Sequence, residues 1–346
     1  MTDNSKPSTG QWRTLINAAN AFRKLEPWKL YEYEQVFGVQ HPEGEDILYC
    51  TILGMLGEVL GLGIYPGQQG LQSYYQMAYG LIQNGLFPPS FQAMLVSFES
   101  KKDMDKKELR LFKKLGYSFR GPKKWPQFQV YTAQHSSEGL WPDAHQAKQM
   151  NIALQAALEV VHREYKNQSI FYEPSQESDI IPLLKWSSSE EKWGVEYSEQ
   201  DPKEKVSLPQ PPDLDQVRLQ RLISSAQRQG IWEGSVLQLP AKIELDQGES
   251  YAPPMGLWAE HGSYFILGFE IGHPGTGWEL IVSSLIQAME KNSIIPQKIL
   301  VDNAMARNML SKLTTYLHIE ISQTETLPAI TDVFQGMKRD IFSSLK

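Results

Sequence analysis

The sequence lacks the residues and segments that several classes of protein require. Cys50 is the only cysteine among the 346 residues, which excludes an internal disulfide and any zinc site built mainly from cysteines. No apolar run approaches the roughly 18–20 residues that a membrane helix needs. Residues 1–10 are polar and lack the apolar core of a signal peptide. We therefore expect a cytoplasmic protein with no membrane partner.

Acidic residues outnumber basic ones, with 40 Asp and Glu against 33 Lys and Arg and a net charge of −7. A chain of this sign has no general attraction for phosphates, so a nucleic-acid partner is not expected for the chain as a whole. The segment from Lys101 to Lys124 departs from this balance, because it is rich in lysine and is followed at once by Trp125 and Phe128. Basic and aromatic residues together could bind a phosphate backbone and stack its bases, so nucleic-acid binding through this segment is one alternative function.

Apolar residues within the same segment favour a simpler interpretation. Leu109, Phe112 and Leu115 recur at helical spacing, which predicts an amphipathic helix with its lysines on the solvated face. Such a helix needs no ligand to explain its charge.

Length and composition predict two domains, because single cores rarely grow beyond about 250–300 residues. We place an N-terminal α+β domain at residues 1–171 and a C-terminal domain at 216–346. Residues 172–215, rich in Ser, Glu and Pro, are predicted to connect the two. Two short apolar stretches inside this linker, at 181–186 and 193–197, can pair as a hairpin.

The N-terminal domain is predicted to hold a β-meander between helices. Alternating and β-branched runs predict strands at 36–39, 47–53 and 59–65, followed by a helix over 68–84. Cys50 lies in the second of these strands and is predicted to be a buried core residue. Glycines crowd this region without the spacing of a dinucleotide or phosphate loop, so tight turns and close contacts explain them better.

The C-terminal domain is predicted to be a mixed α/β sheet flanked by helices. Strands are expected at 234–245, 255–260 and 264–271, then a helix over 278–291 and a strand–helix–strand unit from 298 to 321. Asp302 follows the strand 298–301, at the sheet edge where α/β folds place ligands. We expect it to cap the helix that follows rather than to bind a metal. His135, His145 and His162 have no metal-binding spacing, so we predict no cofactor and no metal.

Two blocks of sequence resemble a bacterial family of uncharacterised two-domain proteins. The N-terminal block carries Pro27-Trp28, Phe37-Gly38-Val39, Gly54-x-x-Gly57-Glu58 and Tyr65-x-Gly67, and the C-terminal block carries Ile295-Pro296-Gln297-Lys298-Ile299 and Leu317-x-Ile319-x-Ile321. The resemblance covers most of the chain. It implies a bacterial cytoplasmic protein with this domain order and transfers no catalytic residue.

A second resemblance links the C-terminal half to the RNase H-like fold. Three consecutive strands, a helix, a strand ending in Val301-Asp302-Asn303, a helix and a fifth strand resemble the order found in integrases and transposases. Those enzymes hold two Mg²⁺ ions between carboxylates. The resemblance implies Asp302 as the fourth-strand carboxylate, with Glu260 the nearest match to the first-strand one. The third could only be Glu270, Glu279 or Glu290.

An incomplete carboxylate set does not fix an activity. The sequence therefore predicts a binding or interaction module without catalysis, for a partner that the residues do not identify. A metal-dependent phosphodiester hydrolase using Asp302 with Glu260 or Glu270 is the enzymatic alternative.

Overall fold

The computed structural model describes residues 5–44, 46–55, 57, 59–78, 91–132, 139–171, 180–199, 210–239, 243–244, 250–251, 253–273 and 277–344. The chain divides into two compact units, the first formed mainly by residues up to 206 and the second mainly by residues from 207 onward. Both units combine helices with sheets, so the α+β class is confirmed. None of the helices formed by the described residues is long and apolar enough to span a membrane.

A seven-stranded sheet forms the centre of the first unit. Its strands are β1 (Val36–Gln40), β2 (Leu48–Leu53), β3 (Gly61–Pro66), β4 (Gln92–Glu99), β5 (Trp125–Thr132), β6 (Ile180–Ser187) and β7 (Lys192–Glu199). They lie in the order β5-β4-β3-β2-β1-β6-β7. Since β2 is antiparallel to both β1 and β3, the predicted meander is confirmed. Close packing between strands explains one glycine of the meander. At Gly61 a β-carbon would lie only 2.3 Å from the Val96 carbonyl oxygen on β4, so no larger residue fits there.

Four helices accompany this sheet: α1 (Thr9–Lys24), α2 (Gly67–Ala78), α3 (Lys106–Leu115) and α4 (Ala144–Tyr165). Ser8 and Asp143 begin α1 and α4 with capping boxes, which satisfy amides that the first helical turn leaves unpaired. The apolar stripes of both helices join one core with the meander. Cys50 on β2 is completely buried in that core, as predicted. The predicted end of the helix over 68–84 lies outside the described residues.

The predicted linker contains a β-hairpin that belongs to the first unit. β6 and β7 pair along their whole length, from Ile180 opposite Glu199 to Ser187 opposite Lys192. β6 also pairs in parallel with β1, through Gly38 opposite Leu183. Residues 180–199 therefore extend the seven-stranded sheet instead of connecting two domains. The alternation of apolar residues predicted the hairpin. It could not show that one side of β1, about 140 residues earlier in the chain, is open for pairing with β6.

The second unit contains helices α5 (Gln216–Ser225), α6 (Leu280–Asn292), α7 (Ala304–Leu317) and α8 (Pro328–Ser344). Its strands are β8 (Gln227–Arg228), β9 (Ile231–Gln238), β10 (Ile243–Glu244), β11 (Ser250–Tyr251), β12 (Pro254–Glu260), β13 (Ile266–Ile271), β14 (Ile294–Ile295), β15 (Lys298–Val301) and β16 (Glu320–Gln323). The first long strand thus begins and ends earlier than the predicted 234–245, because Ile231 and Trp232 already continue its alternation.

Five of these strands form one sheet in the order β13-β12-β9-β15-β16. β12 is antiparallel to both β9 and β13, whereas β15 is parallel to both β9 and β16. Counted along the chain, this is the order 3-2-1-4-5 with the second strand reversed, which is the RNase H-like arrangement. The two-residue strands form separate small pairs, β8 with β14 and β10 with β11.

Alternation along β9 separates two packed faces of the sheet, because neighbouring residues of a strand point to opposite sides. Trp232 and Val236 join the core formed with α6 and α7. Leu237 joins a smaller core beneath α8, with Leu327 and Ile330. Gly234 faces the first of these cores, where the ring of Trp258 lies so close that a β-carbon at position 234 would be 2.2 Å from it.

Candidate functional site

Asp302 lies at the carboxyl end of β15, as predicted, and is half-buried. The cap of the following helix α7 is its neighbour Asn303, whose side chain accepts a hydrogen bond of 2.8 Å from the Ala306 amide. The amide group of Asn303 donates a second hydrogen bond of 2.7 Å to Asp302 Oδ1. The expectation that Asp302 itself caps α7 was therefore wrong, and one residue further along performs that role.

Ser235 on β9 is the side chain that faces Asp302 across the sheet. Its hydroxyl is completely buried and donates a hydrogen bond of 2.9 Å to Asp302 Oδ2. β9 is the first strand of the RNase H-like order and lies beside β15, the fourth. Ser235 therefore occupies the first-strand position beside Asp302, where two-metal phosphoryl transfer would need a carboxylate.

Glu260 lies on the second strand of the sheet, at the end of β12. Its carboxylate accepts hydrogen bonds from the Ser263 hydroxyl (2.7 Å) and from the amides of Ser263 (2.6 Å) and Gly262 (3.0 Å). These donors, the Ser263 hydroxyl foremost, lower the pKa of the Glu260 carboxyl below its usual value. Glu260 pairs with Trp232 on β9. Trp232 lies three residues before Ser235, so Trp232 and Glu260 are on the opposite face of the sheet from Ser235. The structure does not bring Glu260 to Asp302.

Glu270 on β13 also points away from Asp302. It lies opposite Gly256, which in turn lies opposite Val236, so all three share the face that packs on α6. The hydroxyl of Ser283 on α6 donates a hydrogen bond of 2.6 Å to Glu270. Because side chains alternate between the two faces of a sheet, Glu270 lies on the opposite face from Ser235 and Asp302.

The two remaining acidic candidates have other partners. Glu279 accepts a hydrogen bond of 2.8 Å from the Gly277 amide just before α6. Glu290 receives two hydrogen bonds of 2.7 Å from the guanidinium of Arg218, which lowers the pKa of the Glu290 carboxyl.

Sequence inspection missed the most deeply buried acidic residue of this sheet. Glu233 on β9 is completely buried and lies two residues from Ser235, on the same face. Its Oε1 is 2.5 Å from Nδ1 of His261, and its Oε2 accepts a hydrogen bond of 3.1 Å from the Ile330 amide in the first turn of α8. The only sequence signal was a glutamate inside an otherwise apolar strand. Its contacts hold α8 to the sheet.

The donor set around Asp302 does not fit the pair of Mg²⁺ ions that the fold family uses. Both Asp302 oxygens accept hydrogen bonds from neutral side chains, and the adjacent first-strand residue is a serine. Two-metal phosphoryl transfer needs several carboxylates to hold the ions about 3.5–4 Å apart. Across the described part of the chain, no cluster of three or more His, Cys, Asp or Glu is arranged to hold a metal ion.

A basic surface lies on the first unit, around α3. The segment 101–124 holds ten Lys and Arg against three Asp and Glu, a net charge of +7 within a chain of −7. Phe112 and Leu115 are buried, and the lysines of α3 are exposed, as the helical stripe predicted. Trp125 and Phe128 are also buried in the core, at 5% exposure each, so they are not available for stacking bases.

Few acidic groups neutralise this surface. Among the described residues, Lys123 is the one cation of the segment that forms an ion pair, with Glu99 at 3.1 Å. Lys101 lies 5.9 Å from the centre of the Trp125 ring. The side chains of Lys106, Lys107, Lys113 and Lys114 project into solvent from α3. The result is a local concentration of unneutralised positive charge.

Comparison with known families identifies two domains of unknown function in this chain. Residues 12–181 match the model of the domain of unknown function DUF7309, and residues 218–338 match that of DUF6930. The two domains occupy the N-terminal and C-terminal regions in the order that the sequence resemblance implied. No curated protein matches the chain.

Solved structures to which the chain is similar include an integrase domain and an intasome. The HTLV-2 integrase catalytic core domain in complex with magnesium, in its trimeric form, shares 16% identity over 34% of this chain and 72% of its own, with a TM-score of 0.25. The simian T-cell lymphotropic virus intasome in complex with PP2A regulatory subunit B56 gamma shares 14% identity over 37% of this chain and 41% of its own, with a TM-score of 0.24. The strand order of the sheet, and not these similarities, assigns the fold.

Proposed function

We propose that this chain is a binding or interaction protein whose RNase H-like sheet does not hydrolyse phosphodiesters. The observation that carries the proposal is the hydrogen bond from Ser235 to Asp302. A serine hydroxyl supplies neither the negative charge nor the bridging oxygens that a pair of divalent cations needs. Asp302 is thereby a structural residue, which ties the end of β15 to β9.

The metal-dependent alternative predicts a different response to divalent cations. If further carboxylates joined Asp302 around a metal ion, the ion would relieve their repulsion and stabilise the folded chain. A ligand at about 100 times its dissociation constant stabilises by roughly 2.7 kcal/mol, which is a clear thermal shift. We expect no such shift with Mg²⁺ or Mn²⁺ and no cleavage of labelled single-stranded or double-stranded DNA or RNA.

Two variants make this experiment decisive. Asp302→Asn removes the one carboxylate that follows β15, and Glu270→Gln, on the opposite face, is its matched control. On our proposal neither variant changes the metal response, because there is none to change. Metal-dependent cleavage that disappears in Asp302→Asn and survives in Glu270→Gln would refute the proposal and establish a nuclease.

A second candidate function is the binding of polyanions, including nucleic acid, by the basic surface around α3. It is supported by the exposed lysines of α3 and by the single ion pair, at Lys123, found for this segment among the described residues. Burial of Trp125 and Phe128 argues against base stacking, so we expect phosphate contacts without sequence preference. The affinity should fall steeply with salt, because phosphate contacts release bound counterions.

Fluorescence anisotropy with labelled single-stranded DNA tests this candidate. The test variant replaces four lysines of α3 by glutamine: Lys106, Lys107, Lys113 and Lys114. The control replaces four other exposed lysines of the first unit: Lys6, Lys24, Lys166 and Lys192. We expect the test variant to lose binding and the control to keep most of it. Equal losses in both would show that the attraction is not specific to the basic surface.

A further inference from the structure

β13 forms an open edge of the five-stranded sheet, and its backbone is available for pairing. The Gly272 amide donates a hydrogen bond of 2.8 Å to the Pro254 carbonyl of β12. Because hydrogen-bonded and non-hydrogen-bonded pairs alternate in an antiparallel ladder, Phe269 and Ile271 form non-hydrogen-bonded pairs with Leu257 and Met255. Their N–H and C=O groups therefore point away from β12. No strand of the described residues pairs with this side of β13.

Large apolar side chains accompany this free edge. Phe269 and Ile271 are 55% and 46% exposed, on the face whose neighbouring β12 residues are covered by α8. The turn that leads into β13 adds further exposed residues, namely Tyr264 (40%), Phe265 (65%) and Ile266 (39%). We call these five residues the β13 patch. These residues lie close together in the sequence, along one turn and one strand, and an exposed apolar patch of a few hundred Å² is often functional.

The part of β13 from Phe269 to Ile271 lacks most of the devices that protect an edge strand. Proteins block open edges with charged side chains, proline, a β-bulge or a covering element. The start of β13 carries two of these, a bulge at residues 266–268 and a hydrogen bond of 2.8 Å from the Asn292 side chain of α6 to the Leu267 carbonyl. β13 contains no lysine, arginine or proline, and its one charged residue, Glu270, is turned to the opposite face and bonded to Ser283. The other edge of the same sheet differs, because β16 carries the exposed Glu320 in an ion pair of 2.7 Å with Lys298. Only one of the two edges of this sheet is apolar.

We propose that β13 pairs with β13 of a second copy of this chain, in antiparallel orientation about a two-fold axis at Phe269. Such an axis places the two Phe269 rings side by side and sets each Glu270 opposite Gly268 of the other copy, so the two carboxylates do not face each other. The contact is isologous, with the same patch on both copies. It joins two five-stranded sheets into one and pairs the outward-facing backbone groups of the two Phe269 residues.

The size of the β13 patch indicates a reversible dimer. Its five side chains expose roughly 500 Å² per copy, taking about 180–230 Å² for each fully exposed residue. Complete burial of these side chains in two copies would cover at most about 1,000 Å², which is the lower limit for a specific interface. The dimer should therefore dissociate on dilution.

Sedimentation velocity of the full chain over a concentration series tests the pairing. We expect the sedimenting species to change from one chain to two as concentration rises. Phe269→Lys should raise the dissociation constant at least about tenfold, because it puts two lysines side by side in place of two rings. Gln323→Lys, at an exposed position of β16 on the other edge, is the matched control and should dimerise as the parent does.

A second variant separates pairing from folding. Phe269→Thr combined with Ile271→Thr places residues of high β-propensity on the strand and removes the apolar area, so it should fold like the parent and stay monomeric. If the parent chain stays monomeric at high concentration, β13 does not pair with a second copy and the proposal is refuted. Dimerisation of Phe269→Lys at parental strength, or its loss in Gln323→Lys, would refute pairing through β13.

Discussion

Nδ1 of His261 lies 2.5 Å from Oε1 of Glu233, although Glu233 is completely buried and 41% of the His261 side chain is exposed. The imidazole thus covers a carboxylate inside the sheet, and the Ile330 amide occupies the other carboxylate oxygen. A buried charge is tolerated only when its partners are present.

Loss of the His261 side chain should destabilise the folded chain more than loss of the Glu233 charge. His261→Ala leaves Glu233 buried with one partner fewer, so we expect a loss of at least about 2 kcal/mol in the free energy of unfolding. Glu233→Gln removes the charge and keeps the shape, at a cost below about 1 kcal/mol. Denaturant unfolding followed by tryptophan fluorescence measures both, with exposed His162→Ala as the control. A larger cost for Glu233→Gln than for His261→Ala would contradict this account.

Asn303 should matter more for stability than its neighbour Asp302. It is 1% exposed and its side chain caps α7, so Asn303→Ala should cost about 1–2 kcal/mol. Asn303→Ser keeps a capping oxygen and should recover part of that loss. Asp302→Asn should melt within a few degrees of the parent, because asparagine keeps the shape and one acceptor oxygen and the Ser235 hydroxyl can accept as well as donate a hydrogen bond. Thermal unfolding of the three variants ranks their stabilities. A lower melting temperature for Asp302→Asn than for Asn303→Ala would contradict the assignment of Asn303 as the cap.

The pair formed by Arg218 and Glu290 should stabilise the chain at neutral and alkaline pH and lose this effect in acid. Arg218 lowers the pKa of Glu290 in the folded chain, so the contribution is present above the unfolded pKa and is lost as the pH falls through the folded pKa. Both side chains are about 40% exposed, which limits the effect to below about 1 kcal/mol. Glu290→Gln should therefore destabilise at neutral pH and low salt. In acid or high salt the difference should vanish, and a constant difference would exclude the ion pair as its cause.

Cys50 should react slowly while the chain is folded. It is completely buried, and burial raises the pKa of its thiol, so the reactive thiolate is scarce. We expect slow labelling by a thiol reagent in buffer and rapid labelling in denaturant. Cys50→Asp should destabilise by several kcal/mol, because it places an unpaired charge in the core, whereas Cys50→Ala should cost much less. Rapid labelling of the native chain would show that the meander opens.

Brief trypsin treatment tests the division into domains. The hairpin of β6 and β7 is part of a sheet, so we expect the first cuts after it, at Lys203 or Lys205 in the polar stretch that precedes α5. Two fragments should result, divided near residue 205. First cuts between Trp12 and Tyr165 would contradict the division.

The sequence by itself predicted many of the longer helices and strands and their order along the chain. The three strands of the meander, the amphipathic α3 and the elements β12, β13, α6, β15, α7 and β16 follow from local periodicity, which depends only on neighbouring residues. Asp302 was found in the same way, because the end of a β-branched strand before a helix is visible in the sequence. Burial of Cys50 followed from the apolar run around it.

Only the tertiary structure decided which residues meet. Ser235 faces Asp302 across 67 positions of sequence, and Glu233 meets His261 and α8 because strand register brings them together. Register also places Glu260 and Glu270 on the other face, where their carboxylates have separate partners. A shift of one residue in pairing would exchange the two faces of the sheet. Register depends on the packing of every strand at once, and no short stretch of sequence contains it.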